Sequence, residues 1–333
     1  MFFMSSNKAE KKAILVTGGA GYIGSHAVKE LCDTGFAVTV LDNLSNGNRA
    51  AVDDRAEFVN MDLGDFEVLC DFMEKGRFDA VMHFAGSIEV GLSMKNPDLF
   101  FRNNVVCGQH LLEAMRRAGC GNMIFSSTAA VYGSPKSVPI LETARVIPTN
   151  YYGVTKLLFE ELLKSYDEFY GFKYIALRYF NAAGADSSGN LGESHDPETH
   201  LIPLVLRAAS GGSALKIFGS DYDTPDGTCI RDYIHVTDLV KAHVLALNYL
   251  FGKKESDVFN LANGKGFSVR EVIFAAEKVV GKKILYEEAA RREGDPPVLV
   301  ADCSKAKSVL GWESTQSSLE QIISSAYKWH GAI

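Results

Sequence analysis

A short apolar run, Ala13-Ile-Leu-Val-Thr17, leads directly into Gly18-Gly-Ala-Gly21-Tyr-Ile-Gly24, and a helix-like stretch from Ser25 to Leu31 follows. Strand, glycine turn and helix in that order constrain the fold more than any other segment of the chain. Glycines at GxxGxxG spacing allow a tight turn, close approach of the backbone to a pyrophosphate and close packing of the helix, with phosphate held at the helix amino end. The next strand-like run, 37–41, ends in Asp42, at a suitable distance to bind an adenine ribose 2′-OH. A carboxylate there repels a 2′-phosphate, which favours NAD over NADP. Taken alone, Gly18, Gly21, Gly24 and Asp42 also fit ordinary turns.

Strand-like runs at 13–17, 37–41, 57–60, 80–84, 123–126 and 174–179 alternate with helical segments. This alternation predicts an α/β fold, a doubly wound parallel Rossmann sheet with a smaller carboxyl-terminal substrate domain. The boundary is placed near residue 180, giving an NAD-binding domain at 13–180 and a ligand-binding domain at 181–333, with some chain crossing back. Ligands of such sheets bind beyond the carboxyl ends of the strands. Asp62 and Leu63, His83-Phe84-Ala85-Gly86, Ser126-Ser-Thr128 and Asn181 fall at those ends. Each alone fits a loop residue; together they predict a ligand-lined cleft.

At 333 residues the chain has room for about two domains. Its 47% hydrophobic and 23% charged residues give a globular balance. A net charge of −7 without a basic block speaks against nucleic acid, and no apolar run is long enough for a membrane span. The opening Met1-Phe-Phe-Met-Ser-Ser reads as a frayed extension and not a secretory signal. Six scattered cysteines without CxxC pairs read as thiols of a reducing, cytoplasmic compartment.

Tyr152-Gly-Val-Thr-Lys156 places a phenol and an ammonium one helical turn apart on one face. Lowering a phenol from pKa ~10 to ~7 takes about 4 kcal/mol. A cation in a partly dry cleft, joined by a cationic nicotinamide ring, could supply this. The pattern alone fits many helices, and its weight comes from the nucleotide-binding context.

The blocks GGAGYIGS, LDNLSNG, HFAG, SSTAAVYG, YGVTK, RYFNAAGA, IRDYIHV and RREGD together closely resemble the UDP-glucose 4-epimerase family of the extended short-chain dehydrogenase/reductases. The resemblance implies NAD held tightly and returned unchanged, Tyr152 as catalytic base, Lys156 tuning it and binding nicotinamide ribose, and Thr128 contacting the sugar O4. It extends the cofactor contacts to Tyr22, Ile23, Asn43, Asn103 and Tyr179. It also places Asn181, Leu201, Arg231, Arg292 and Asp295 around uridine and diphosphate, and it implies a homodimer formed through helices near 99–118 and 153–169. Arginine suits diphosphate through its planar donor fork; Arg231 and Arg292 fit structural salt bridges as well. The implied reaction interconverts UDP-glucose and UDP-galactose through a bound 4-keto sugar.

Two positions depart from the family pattern. Ile88 stands where the family often has a Lys near the cofactor. His200 stands where some members have Asn near the diphosphate; hydrogen bonding is expected there and no metal, since neither His195 nor His200 has a Cys or His partner at zinc spacing. A dehydratase would need an Asp-Glu pair after Thr128, where Ala129-Ala130 stands instead. UDP-glucuronate or UDP-xylose epimerisation remains an alternative, as does a non-enzymatic NAD sensor. Leu299 matches a family position that is a bulky Tyr in enzymes restricted to UDP-glucose and UDP-galactose and smaller in those that also accept N-acetylated sugars. It also fits a plain core side chain.

Overall fold

The structure, a computed structural model, describes residues 11–292 and 295–331. Most of the amino-terminal extension, and Glu293 and Gly294 of the RREGD block, lie outside the described residues.

The first half contributes β1 (Ala13–Thr17), β2 (Ala37–Asp42), β3 (Glu57–Asn60), β4 (Ala80–His83), β5 (Asn122–Thr128) and β6 (Lys173–Tyr179). The second half adds β7 (Asn181–Ala183), β8 (Leu215–Phe218), β9 (Ile230–His235), β10 (Asp257–Leu261), β11 (Gly266–Ser268), β12 (Tyr286–Ala289) and β13 (Val298–Leu299). Seven strands form one parallel sheet in the order β10-β6-β5-β4-β1-β2-β3. The chain turns outward in opposite directions from β1 and β4, so a crevice opens beyond their carboxyl ends.

Both faces of this sheet are covered, which explains why its strands read as apolar runs. Ile14 and Val16 face a cluster with α1 (Tyr22–Asp33). Leu15 faces the other cluster, with Leu69 and Met73 of α2 (Phe66–Gly76). Two short helices, α3 (Val90–Ser93) and α4 (Pro97–Phe101), lead through a π-helical turn, Arg102–Val106, into α5 (Cys107–Arg117). Leu111 and Leu112 of α5 and Phe159 and Leu163 of α6 (Tyr151–Tyr170) complete the second cluster. Each such side chain contributes ~1.5–3 kcal/mol through burial.

Helix α6 is fixed at several points. Asn150 caps its start by accepting from the Gly153 N–H at 2.8 Å. Buried Glu160 accepts from Arg178 Nε of β6 at 2.9 Å and from the Ser127 hydroxyl of β5.

In the second half, β11-β9-β13 form a small sheet with β7 also on β9. Helices α7 (Leu201–Ala209), α9 (Val269–Val280) and α10 (Leu319–Gly331) enclose a third apolar cluster. Between them in sequence, α8 (Val236–Lys253) packs back on α1, and β10 pairs with β6 at the edge of the large sheet. Among the described residues, no helix is long and apolar enough to cross a membrane.

Candidate active site

Tyr152 is the second residue of α6, and its N–H donates to Ser93 Oγ at 3.1 Å. Thr128 ends β5 opposite Tyr179 of β6; its hydroxyl accepts from the Ala130 N–H at 3.1 Å and lies beside the Tyr152 phenol. Lys156, one turn along α6, is buried; its Nζ donates to the Ser126 carbonyl at 2.9 Å and lies 5.9 Å from the Tyr152 ring centre. The Tyr179 hydroxyl shares a hydrogen bond with Ser126 Oγ beside them. Thus the carboxyl ends of β5 and β6 and the start of α6 converge on one phenol.

The electrostatics differ from the sequence expectation of a phenol acidic near neutrality. Burial pushes Tyr152 up to about 12, opposed by the neighbouring Thr128 hydroxyl. Burial also lowers Lys156 to about 8, opposed by the Glu160 carboxylate. In the protein alone, desolvation exceeds the attraction between phenolate and ammonium. The ammonium donates one of its three N–H bonds to the Ser126 carbonyl, and further positive charge in the cleft would favour ionisation of the phenol.

The glycine turn fits a dinucleotide. At Gly18, φ is +74° and a Cβ would lie 2.5 Å from the Ala85 nitrogen; at Gly24 it would lie 2.1 Å from the Gly18 carbonyl oxygen. Packing therefore demands these two. A Cβ on Gly21 would meet only the Gly18 oxygen, at 3.4 Å, and Gly21 caps α1 without a side chain. The amino end of α1 is thus left accessible to a phosphate.

Asp42, at the end of β2, accepts from the Ala20 N–H at 3.0 Å and the Leu44 N–H at 2.8 Å. It is a turn anchor whose oxygens retain acceptor capacity for a ribose. Asn43 donates to Asp62 at 2.6 Å, tying the ends of β2 and β3 together, while Leu63 is buried in the core. The Phe84 and Ala85 N–H groups donate to the Thr17 carbonyl, and Gly86 lies against Asn104 and the Lys156 ammonium.

Two side chains expected at the cofactor are directed elsewhere. The Tyr22 hydroxyl donates to the Gly184 carbonyl at 2.6 Å, and Ile23 packs into the first core cluster, which leaves their backbone groups to face a cofactor. Asn103 donates to Ser87 Oγ at 3.0 Å. Its buried neighbour Asn104, which the sequence did not single out, bonds both backbone groups of Ser87 and Thr155 Oγ1, linking the HFAG turn to α6. Spacing alone could not select between adjacent asparagines on a π-helical turn. Ile88 is 38% exposed.

Across the crevice, Asn181 donates to the Asp232 carbonyl at 2.9 Å, and Leu201 opens α7. Arg231 and Asp295 approach to 3.6 Å, while the Arg292 guanidinium stacks over Phe218 with its centre 4.0 Å from the ring centre. Leu299 pairs with Arg231 and packs on the cluster containing Ala129 and Val131, just past Thr128. The structure thus joins Arg231, Asp295 and Leu299, while Arg292 packs on Phe218. His195 and His200 share Glu193 and Glu198 as partners, which a search for Cys or His ligands passes over.

A Rossmann sheet with an open glycine turn and a Tyr–Lys pair at its carboxyl edge defines a dinucleotide-dependent enzyme of the short-chain type. The model of the NAD dependent epimerase/dehydratase family matches residues 14–262, and the chain belongs to that family. A UDP-glucose 4-epimerase of Lacticaseibacillus casei is 48% identical over 318 residues, 95% of this chain and 96% of the relative. The crystal structure of UDP-glucose 4-epimerase from Brucella ovis in complex with NAD is 48% identical, with a TM-score of 0.92 over 95% of this chain and 97% of that one. The UDP-Glc/GlcNAc 4-epimerase from Campylobacter jejuni is 44% identical, with a TM-score of 0.85 over 97% and 100%.

Proposed function

We propose that this protein interconverts UDP-glucose and UDP-galactose by reversible oxidation at C4, using tightly held NAD. The observation that carries the reading is the Tyr152 phenol, beside Thr128 and one turn from the buried Lys156, at the mouth of a dinucleotide fold. NAD, when bound, supplies the hydride acceptor, the later hydride donor and the positive charge the phenol lacks. Tyr152 as phenolate takes the proton of the sugar 4-OH, assisted by the Thr128 hydroxyl. The hexose turns over while Asn181, Leu201, Arg231, Arg292 and Asp295 hold the UDP, and Tyr152 returns its proton to the oxygen of the inverted centre. Ala129 and Ala130 offer no acid or base, which disfavours dehydration of the 4-keto sugar.

A second substrate pair is supported by Leu299, a half-buried aliphatic side chain with neither ring nor hydroxyl. It leaves room for a 2-N-acetyl group, so conversion of UDP-N-acetylglucosamine and UDP-N-acetylgalactosamine is assigned as a lesser activity. Apolar exposure at Leu99, Phe101, Leu158 and Phe169 on α4 and α6 supports a homodimer, and the unpaired cysteines fit the cytoplasm. Incubation with UDP-galactose, UDP-N-acetylgalactosamine, UDP-glucuronate and UDP-xylose, without added NAD, tests the reading. Conversion of the first is expected to dominate. Turnover of only the glucuronate or xylose substrates would transfer the assignment to those sugars, and bound NAD without turnover would indicate a sensor.

A further inference from the structure

We propose that Glu193, His195, Glu198 and His200 bind one divalent cation of the zinc class, which fastens the segment before α7 against the glycine turn of the nucleotide-binding domain. The candidate ligand atoms of all four residues lie within 4.8 Å of one another. His200 Nδ1 is 2.7 Å from Glu193 Oε1 and 3.2 Å from Glu198 Oε1; His195 Nδ1 is 3.2 Å from Glu193 Oε1 and 3.9 Å from Glu198 Oε2. Ligand atoms around a tetrahedral zinc with bonds of 2.0–2.1 Å are ~3.3 Å apart, so modest side-chain rotation would place an ion among these four.

An independent observation points to the same place. The Glu198 side chain is 1% exposed, and its buried Oε2, directed at His195, has no hydrogen-bond partner among the described residues. A buried carboxylate oxygen left unpaired is costly. A cation would satisfy it. Two imidazoles and two carboxylates form a mixed nitrogen and oxygen set, which suits Zn²⁺ or Co²⁺ better than Mg²⁺ or Ca²⁺.

The surroundings give the ion a structural task. The Tyr22 ring, at the start of α1, meets the His195 ring edge-on with centres 6.4 Å apart, and its hydroxyl holds the Gly184 carbonyl. Trp329 of α10 donates to the Glu193 carbonyl at 2.9 Å. His200 immediately precedes Leu201, the first residue of α7 and a proposed UDP contact. One ion here would join the phosphate-binding turn, the carboxyl-terminal helix and the uridine side of the cleft.

The test uses full-length protein stripped with EDTA, then titrated with zinc chloride and followed by elemental analysis and thermal unfolding. Wild type should take up one equivalent more than His195→Ala/His200→Ala and gain roughly 5 °C in Tm at a hundredfold excess over Kd. Glu198→Gln, which preserves shape, should weaken zinc binding by ~10-fold or more. Equal uptake by wild type and the double variant, assigning the metal to cysteines, would overturn the proposal. So would a wild-type Tm that neither zinc nor chelator moves, a measurement that needs no variant.

Discussion

In the proposed mechanism Tyr152 is the residue on which the chemistry turns, and its surroundings leave the phenol dependent on its neighbours. Burial holds the phenol protonated, and Lys156 is bonded to Ser126 instead of to it. Tyr152→Phe should leave folding and NAD retention intact while lowering turnover by ~10² or more; near-normal turnover would remove it from the mechanism. Lys156→Ala should move the rising limb of kcat/KM to higher pH. The reactive species is the phenolate, present above the phenol pKa, and losing a nearby cation raises that pKa. An unchanged pH profile would show that the ammonium only binds ribose. Leu299→Tyr should depress N-acetylhexosamine turnover selectively, since overpacking costs ~1–3 kcal/mol, and the two substrate pairs assayed side by side would show it. The sequence made the four-residue spacing of Tyr152 and Lys156 visible because helix geometry fixes it. It could not show that the ammonium points at the Ser126 carbonyl, nor that Asn104 ties Ser87 to Thr155, because those contacts join residues distant in sequence.

At the scale of elements, α6 is only as well placed as its attachment to the sheet. Glu160 and Arg178 are an almost fully buried pair, with side chains 6% and 8% exposed, and Ser127 adds a third contact. Glu160→Ala leaves a guanidinium buried without its partner and should cost ~3–5 kcal/mol, read as a lowered denaturation midpoint with unchanged slope; a loss below ~1 kcal/mol would show the pair to be solvated. The six strands of the first half were legible because a sheet covered on both faces makes each a short apolar run. The edge strand β10 was not. Its sequence, Asp257-Val-Phe-Asn-Leu261, is short and broken by polar residues, and it reaches β6 only after the chain has built much of the second half. The Glu193–His200 cluster was passed over for a different reason: its four residues lie within eight positions, but carboxylates are common in loops and only Cys and His were weighed as ligands.

For the whole molecule, the account is that one fold holds NAD at the glycine turn and swings a tethered sugar past it twice. In this account Asp42 sets the cofactor preference. After the native cofactor is stripped, NAD should restore activity far better than NADP, and Asp42→Ala should narrow that preference without reversing it; equal restoration of wild type by both would contradict the assignment. The catalytic claim is tested most directly by UDP-galactose deuterated at C4, incubated with the purified protein and no added NAD. The account predicts UDP-glucose that keeps the deuterium at C4, with none lost to solvent and no free reduced cofactor. Exchange of that deuterium with water, or a requirement for stoichiometric added NAD, would contradict it.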